Sequence, residues 1–271
     1  MNNTDRLRAT NPPEFRLTKY YADCVSEAGD TVIAYYGWVQ WKRLTVHYSS
    51  LLTKIGNAPA RTKYSIRKSE EPLSSGASFR WHSRNLHFEG QWKAVDGPHS
   101  ETLFSSDDGG IEWHCLQPRA NVEIRLGSHQ TIRGFGYLER LEMTIAPWKL
   151  PIDELLWGRF LSDTTSLVWI DWRGPQNRRV LLYNGEKIDA GEIPESGIAA
   201  SSGGKLSFSG SVVLREGKLG TVALAALSAI KSSLPSRILN VEEHKWRSRG
   251  HWLSSQPSEG WAIHEVVKWP R

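Results

Sequence analysis

Two acidic residues stand where a carboxyl group could do chemistry among aromatic rings. In Gly134-Phe135-Gly136-Tyr137-Leu138-Glu139-Arg140-Leu141, strand alternation puts Tyr137, Glu139 and Leu141 on one face and Leu138, Arg140 and Glu142 on the other. If the Tyr137 face points inward, Glu139 is a carboxyl in an aromatic pocket, where loss of water favours the protonated form and makes it a usable proton donor. If it points outward, Glu139 is a surface acid beside a neighbouring arginine. In Leu167-Val168-Trp169-Ile170-Asp171-Trp172, Asp171 shares a face with Trp169, and Ile170 shares the other with Trp172. A carboxyl beside such rings either anchors an indole N–H or serves as a catalytic acid. Arg159, in Trp157-Gly158-Arg159-Phe160, can pair with a carboxylate or lie on a ring face. Trp81-His82 and Trp113-His114 place an imidazole beside an indole twice; such a histidine can pass protons near neutrality or serve structure alone.

Other chemistries lack their patterns. His82 and His87 flank an apparent turn, and neither HExxH nor paired CxxC spacing occurs, so no metal is expected. Cys24 and Cys115 read as buried thiols. Gly134 and Gly136 do not make a dinucleotide fingerprint, because Glu139 takes the place of the third glycine and no helix follows; they read as a bulge or close approach entering a strand. Ser201-Ser202-Gly203-Gly204 reads as a loop, and no Gly-x-Ser-x-Gly elbow is present. No cofactor is therefore expected.

The elements that must hold these residues are strands. Thr31 to Trp38, Leu44 to Tyr48, Ser78 to His82, Asn85 to Trp92, Ile111 to Leu116 and Ala120 to Leu126 alternate with period two, broken by turn formers such as Asp108-Gly109-Gly110. A second series runs through Tyr137 to Thr144, Leu155 to Leu161, Ser166 to Trp172, Arg179 to Tyr183, Lys205 to Leu214, Ser236 to Arg247 and Trp261 to Trp269. Asn184-Gly185 between two such runs predicts a hairpin, and Ala and Leu over Thr221 to Ile230 predict a short helix. Many short strands at even spacing predict closure into barrels or sandwiches, which removes exposed edges. The expectation is an all-β chain of two antiparallel β-barrels in tandem, residues 1–130 and 131–271.

Gly134 to Leu141, Trp157-Gly158-Arg159-Phe160 and Leu167 to Trp172, with the early Lys19-Tyr20-Tyr21-Ala22-Asp23, resemble the hydroxyneurosporene synthase family, the carotenoid 1,2-hydratases and their lipocalin-like relatives. Those proteins carry a Gly-x-Gly-Tyr-x-acid element followed by Trp-Gly and a Trp-containing strand. The resemblance implies two lipocalin-like barrels with a ligand pocket between or inside them. Hydratases of the family have an Asp followed closely by His, Asn and Trp-Gly, whereas here Arg140 follows Glu139 and Trp157-Gly158 lies farther on, so carotenoid hydration itself is not carried over.

Composition sets the remaining bounds. The 34 Lys and Arg exceed the 29 Asp and Glu by five but are scattered, which argues against nucleic acid or another polyanion as partner. The aromatic residues are the unusual resource: 13 Trp, 8 Tyr and 7 Phe. Each Trp brings a large apolar surface and one N–H that needs an acceptor, so some are expected to face a ligand. Tyr137, Trp148, Trp157, Trp169 and Trp172 are expected around Glu139, with Trp38, Trp41, Trp81 and Trp113 facing them from the first half. The polar start and the absence of 18 consecutive apolar residues make a cytoplasmic location without a transmembrane segment the expectation. The expected partner is an apolar, isoprenoid-like or polycyclic small molecule. Two function classes fit: a cofactor-free lyase, cyclase or isomerase, in which Glu139 or Asp171 protonates substrate while Trp and Tyr rings stabilise developing positive charge or hold a polyene in a reactive shape; and a lipocalin-like carrier of a lipid or pigment, in which the same residues only bind.

Overall fold

The computed structural model describes residues 14–68, 70–128, 130–201, 203–222 and 234–270. The first half supplies β1 (Phe15–Ser26), β2 (Thr31–Trp41), β3 (Leu44–Lys54), β4 (Arg61–Ser65), β5 (Leu73–Ser75), β6 (Ser78–Ser83), β7 (Phe88–Ala94), β8 (His99–Ser106), β9 (Gly109–Leu126) and β10 (Gln130–Met143). They form one antiparallel sheet in the order β4-β3-β2-β1-β10-β9-β7-β6-β5, with β8 also paired to β9. The second half supplies β11 (Glu154–Leu161), β12 (Ser166–Arg173), β13 (Arg178–Tyr183), β14 (Glu186–Ile188), β15 (Gly197–Ala199), β16 (Lys205–Lys218), β17 (Glu242–Leu253) and β18 (Ser258–Lys268). Their order is β14-β13-β12-β11-β18-β17-β16-β15.

Both sheets curl. In the first, Tyr20 of β1 meets Phe79 of β6 at 6.1 Å between ring centroids, although several strands separate them in the sheet. In the second, Trp169 of β12 meets Phe208 of β16 at 6.0 Å. Each curl encloses its own apolar core: Tyr36, Phe79, Trp81, Phe88 and Trp92 in the first, Phe160, Leu181, Leu206 and Trp252 in the second. A third core fills the space between the sheets. The architecture is the tandem lipocalin-like all-β fold, and the central strands of both sheets are buried on both faces.

Three expectations change. The strand at Gln130–Met143 does not open a second unit; it is hydrogen-bonded between β1 and β9 of the first sheet, and the chain crosses between sheets at 144–153 instead of at 130. The expected strand from Ser236 starts with one helical turn, Ser236–Leu239, after Pro235, and β17 begins only at Glu242. Of the helix expected at Thr221 to Ile230, the described part is the end of the turn Leu219–Val222; residues 223–230 lie outside the described residues. The Asn184-Gly185 hairpin joins β13 to β14, with φ of 48° and 84° at its two central residues, both in the left-handed region that such a turn requires. Among the described residues no helix is long and apolar enough to cross a membrane.

Candidate functional site between the sheets

Strand register builds the site as two facing rungs. Across the first sheet Ser50, Tyr35, Tyr21, Glu139 and Cys115 lie side by side on β3, β2, β1, β10 and β9. Across the second, Arg215, Lys245, Glu265, Trp157 and Ile170 lie side by side on β16, β17, β18, β11 and β12. The rungs meet: Lys245 Nζ donates to Tyr35 Oη at 2.7 Å, and Trp157 Nε1 donates to Glu139 Oε2 at 3.2 Å. The Tyr137 face therefore points inward, toward the second sheet.

Glu139 is 6% exposed. Its Oε2 accepts three hydrogen bonds, from Trp113 Nε1 (2.7 Å), Tyr137 Oη (2.7 Å) and Trp157 Nε1 (3.2 Å). Tyr137 and Glu139 reach this space together because alternation puts them on one face of β10, while the register shifts between Gly136 and Glu139 place the extra residues on β9. Gly136 is required for close approach, since a Cβ there would lie 2.0 Å from the Asp23 carbonyl oxygen. Burial, with Cys115 and Glu139 beside it, pushes the Tyr137 phenol well above its ordinary range, so its hydroxyl keeps its proton and donates. An oxygen that accepts three hydrogen bonds has no room for an acidic proton, so any proton exchanged with a ligand passes through Oε1.

Every other buried carboxylate of this region has a cation. Asp23 and Arg159, both fully buried, make a two-pronged pair, Nη2 to Oδ1 at 2.8 Å and Nε to Oδ2 at 3.1 Å. Tyr21 Oη and the Tyr137 backbone N–H also donate to Asp23, at 2.9 and 3.2 Å. Glu243 accepts from Arg215 Nη2 at 2.6 Å, and Glu265 pairs with Lys245. Burial alone would depress the Lys245 ammonium, but Glu265, Tyr35 and Glu243 outweigh it and the lysine is held charged. Burial pushes Glu265 up against the pull of Lys245; in Glu243 the cations Lys245 and Arg215 win and the carboxyl is held below its ordinary value. Glu139, by contrast, has no cation within ion-pair distance among the described residues; its recorded partners are neutral N–H and O–H groups.

Of the residues singled out by sequence, the structure brings Glu139, Tyr137, Trp113, Trp157 and Arg159 into this seam. Trp172 also faces it, but stacks on Phe104 at 6.2 Å instead of on Glu139. Asp171 and Trp169 are corrections: both sit on the opposite face of β12, toward the second sheet's own core. Asp171 anchors no indole; Arg173 and Arg179 grip its two oxygens at 2.8 and 3.1 Å. Trp38 and Trp81 belong to the inner face of the first sheet. His82 is at the surface, 4.0 Å from Glu70, and His114 bonds Ser100 Oγ at 2.9 Å and faces Glu142 at 3.7 Å. Trp148 packs on Trp41 and Phe15 at the seam's edge. The rings expected to line one cavity are thus divided among three layers. Where the seam opens, a cleft of about 540 Å³ is lined by Val25, Phe135, Arg159, Leu161 and Trp261.

Sequence reading gave no site role to Tyr21 and Asp23, which entered it only through the family resemblance, and missed Tyr35, Arg215, Glu243, Lys245 and Glu265. The available signal was the strict alternation Glu243-x-Lys245-x-Arg247 against His244-x-Trp246-x-Ser248, which normally marks a charged solvent face. Here that face is covered by the first sheet. The face of Trp157, one of the rings expected around Glu139, already carries Lys245 Nζ at 5.6 Å from its centroid, and that of Tyr21 carries it at 5.4 Å.

A double half-barrel with a polar seam between its sheets defines the structural class. No protein-family model matches the chain, and no curated protein matches it in sequence. Solved structures do share its fold. CghA, crystallised with Sch210972, is 9% identical with a TM-score of 0.56 over 94% of this chain and 89% of that one. Kievitone hydratase from Nectria haematococca is 12% identical with a TM-score of 0.50 over 93% and 88%. An AttH-type protein from Nitrosomonas europaea is 10% identical with a TM-score of 0.54 over 97% and 95%. At these identities the likeness is one of fold.

Proposed function

We propose that the protein is a cofactor-free lyase, cyclase or isomerase of an apolar isoprenoid or polyene-type small molecule, related in kind to the hydroxyneurosporene synthase-like proteins, with Glu139 as its acid–base residue. The observation that carries this reading is the pairing pattern of the buried carboxyls. Asp23, Asp171, Glu243 and Glu265 are each neutralised by Arg or Lys, whereas Glu139 is buried among rings with neutral donors only. A carboxyl kept free of ion pairs in an apolar setting is the arrangement that acid–base catalysis uses. Oε2 is fixed by its three donors, which orients the group, and Oε1 exchanges the proton with substrate. Tyr137 and Trp113 supply ring faces for developing positive charge, while Asp23 and Arg159 lock β1 to β11 beside them and hold Tyr21 and Tyr137 in place. That one neighbour of the same fold is a hydratase agrees with a lyase-type reaction.

The test is turnover of a panel of isoprenoid and polyene compounds, followed by the absorbance of the conjugated chain, in wild type, Glu139→Gln and Asp171→Asn. Glu139→Gln abolishes turnover while indole quenching by substrate persists; Asp171→Asn, remote from the seam, retains it. Turnover that survives Glu139→Gln refutes the assignment. Binding without product from any compound in the panel points instead to a lipocalin-like carrier.

A further inference from the structure

The two ends of the seam differ. Toward the cleft, Tyr137 and the buried Asp23–Arg159 pair stand between Glu139 and Phe135. In the other direction the next rung is Lys19 of β1, beside Leu141 of β10 and Gly37 of β2. Lys19 and Leu141 are half-buried, as are Leu17 and Val39 beyond them and Leu155 on the facing sheet, whereas Tyr21, Tyr35 and Trp157 beside Glu139 are buried. This end is the shorter way from solvent to Glu139. Arg159, Arg215 and Lys245, which also face the seam, each hold a carboxylate. Lys19 holds none: its Nζ lies 5.6 Å from the Tyr35 ring centroid and makes no hydrogen bond or ion pair among the described residues. Its charge acts on Glu265, but that carboxylate is taken by Lys245. Because Tyr21 pairs with Glu139 and Lys19 with Leu141, Lys19 and Glu139 are diagonal neighbours on one face, about 7–8 Å apart. A cation without a carboxylate thus stands beside the carboxyl without a cation, at an apolar mouth.

We infer that the substrate carries one carboxylate, which Lys19 holds at this mouth while Leu141 and Leu155 cover the apolar chain on its way to Glu139. The class is an isoprenoid or polyene acid: a single lysine matches a single charge, whereas a diphosphate would leave most of its charge unmatched in a half-buried setting. The Lys19 ammonium donates a charge-assisted hydrogen bond to the carboxylate, and its stem lies along the same apolar surface as the ligand. The inference rests on the reading of Glu139 as the acid–base residue, but it is measured by binding and not by turnover.

Indole quenching of the full chain by farnesoic acid and by farnesol, which share one hydrocarbon chain, tests it. Wild type binds farnesoic acid about tenfold more tightly than farnesol, the effect of one hydrogen bond between charged groups. On the unaltered protein, raising salt from about 0.05 to about 0.5 M shrinks that preference, because a half-exposed ion pair is screened. Lys19→Met, which keeps an apolar stem, brings farnesoic acid down to the affinity of farnesol and changes farnesol less than about twofold; Lys19→Arg keeps the preference. Glu139→Gln keeps it too while losing turnover, so failure of the acid–base reading shows as turnover in Glu139→Gln and failure of this inference as missing selectivity in binding. No binding of farnesoic acid, equal affinity of wild type for both ligands, a preference indifferent to salt, or one that survives Lys19→Met would each overturn the assignment.

Discussion

The pair that ties the two sheets together can be broken from either side, and the structure dictates how the two breaks combine. Asp23 and Arg159 have no exposed side-chain surface. Asp23 accepts four hydrogen bonds, two from the guanidinium, one from Tyr21 Oη and one from the Tyr137 backbone N–H. Arg159 spends its remaining nitrogen on the Trp261 carbonyl at 2.7 Å. Asp23→Ala leaves a buried guanidinium with that one carbonyl, a loss of about 3–5 kcal/mol. Arg159→Met leaves a buried carboxylate with two neutral donors, a loss near the lower end of the same range, about 3 kcal/mol. In the double variant no charge is stranded; what remains is the unpaired Tyr21 hydroxyl and Tyr137 N–H, about 1–3 kcal/mol each. The double variant therefore loses about as much as Asp23→Ala alone, and the coupling energy is at least about 2 kcal/mol. Urea unfolding followed by tryptophan fluorescence, with midpoints and slopes compared across all four proteins, measures it. Losses that simply add, with a coupling below about 0.5 kcal/mol, would refute the claim that the pair is a desolvated unit.

His264 sits in the second sheet's core, stacked on Phe208 at 4.3 Å and bonded to Ser248 Oγ at 2.9 Å, and burial lowers its pKa to about 4. The unfolded chain then binds the extra proton between pH 6.5 and 4, so this contribution, about 3 kcal/mol, is fully present above pH 6.5 and is lost as pH falls toward 4; His264→Gln flattens that limb of the stability–pH curve, and an unchanged limb contradicts the account. At Gly158 a Cβ would lie 2.2 Å from Trp169 Cζ2, so Gly158→Ala costs about 1–3 kcal/mol by overpacking, read as a lower urea midpoint, and Gly158→Ala with Trp169→Leu recovers part of it. Glu139→Gln retains an oxygen for Trp113, Tyr137 and Trp157, so its stability stays within about 1 kcal/mol of wild type; a loss of 3 kcal/mol or more, seen in the same unfolding assay, means that the carboxylate is structural.

Much of the fold was legible because alternation is a local property. Thr31 to Trp38 reads as a strand from its own letters, and the observed β2 contains it; Asn184-Gly185 reads as a turn because only a few residues tolerate positive φ in succession. What a strand pairs with is not local. Nothing in Gln130–Met143 says that it joins β1, more than a hundred residues earlier, so the division at 130 cut through a sheet. The faces of Tyr137 and Glu139 were separable from Leu138 and Arg140 by parity, but which face was covered depended on a second sheet whose approach no short window encodes. For the same reason Asp171 looked as promising as Glu139: each lies on a strand beside aromatic residues, and only the three-dimensional neighbours, two arginines for one and three neutral donors for the other, tell them apart.

That contrast carries the functional argument further than the tryptophan count does. Two β-sheets packed face to face can fill their seam with apolar side chains alone, and each buried charge placed there must be matched at a cost in desolvation. This seam holds Asp23 against Arg159, Glu243 against Arg215 and Glu265 against Lys245, drawn from strands of both sheets. The first of these pairs joins the two sheets, and the other two lie within the second sheet, whose Arg215 and Lys245 reach Tyr35 Oη across the seam at 3.2 and 2.7 Å; none leaves a charge unmatched. Glu139 stands on the same rung as Tyr21 and Tyr35, yet its recorded partners are two indoles and a phenol. Those donors orient one oxygen and leave the other uncommitted, which is the arrangement the proposed acid–base role requires. The tryptophans beside it, Trp113 and Trp157, therefore serve Glu139 with their N–H groups as much as with their rings.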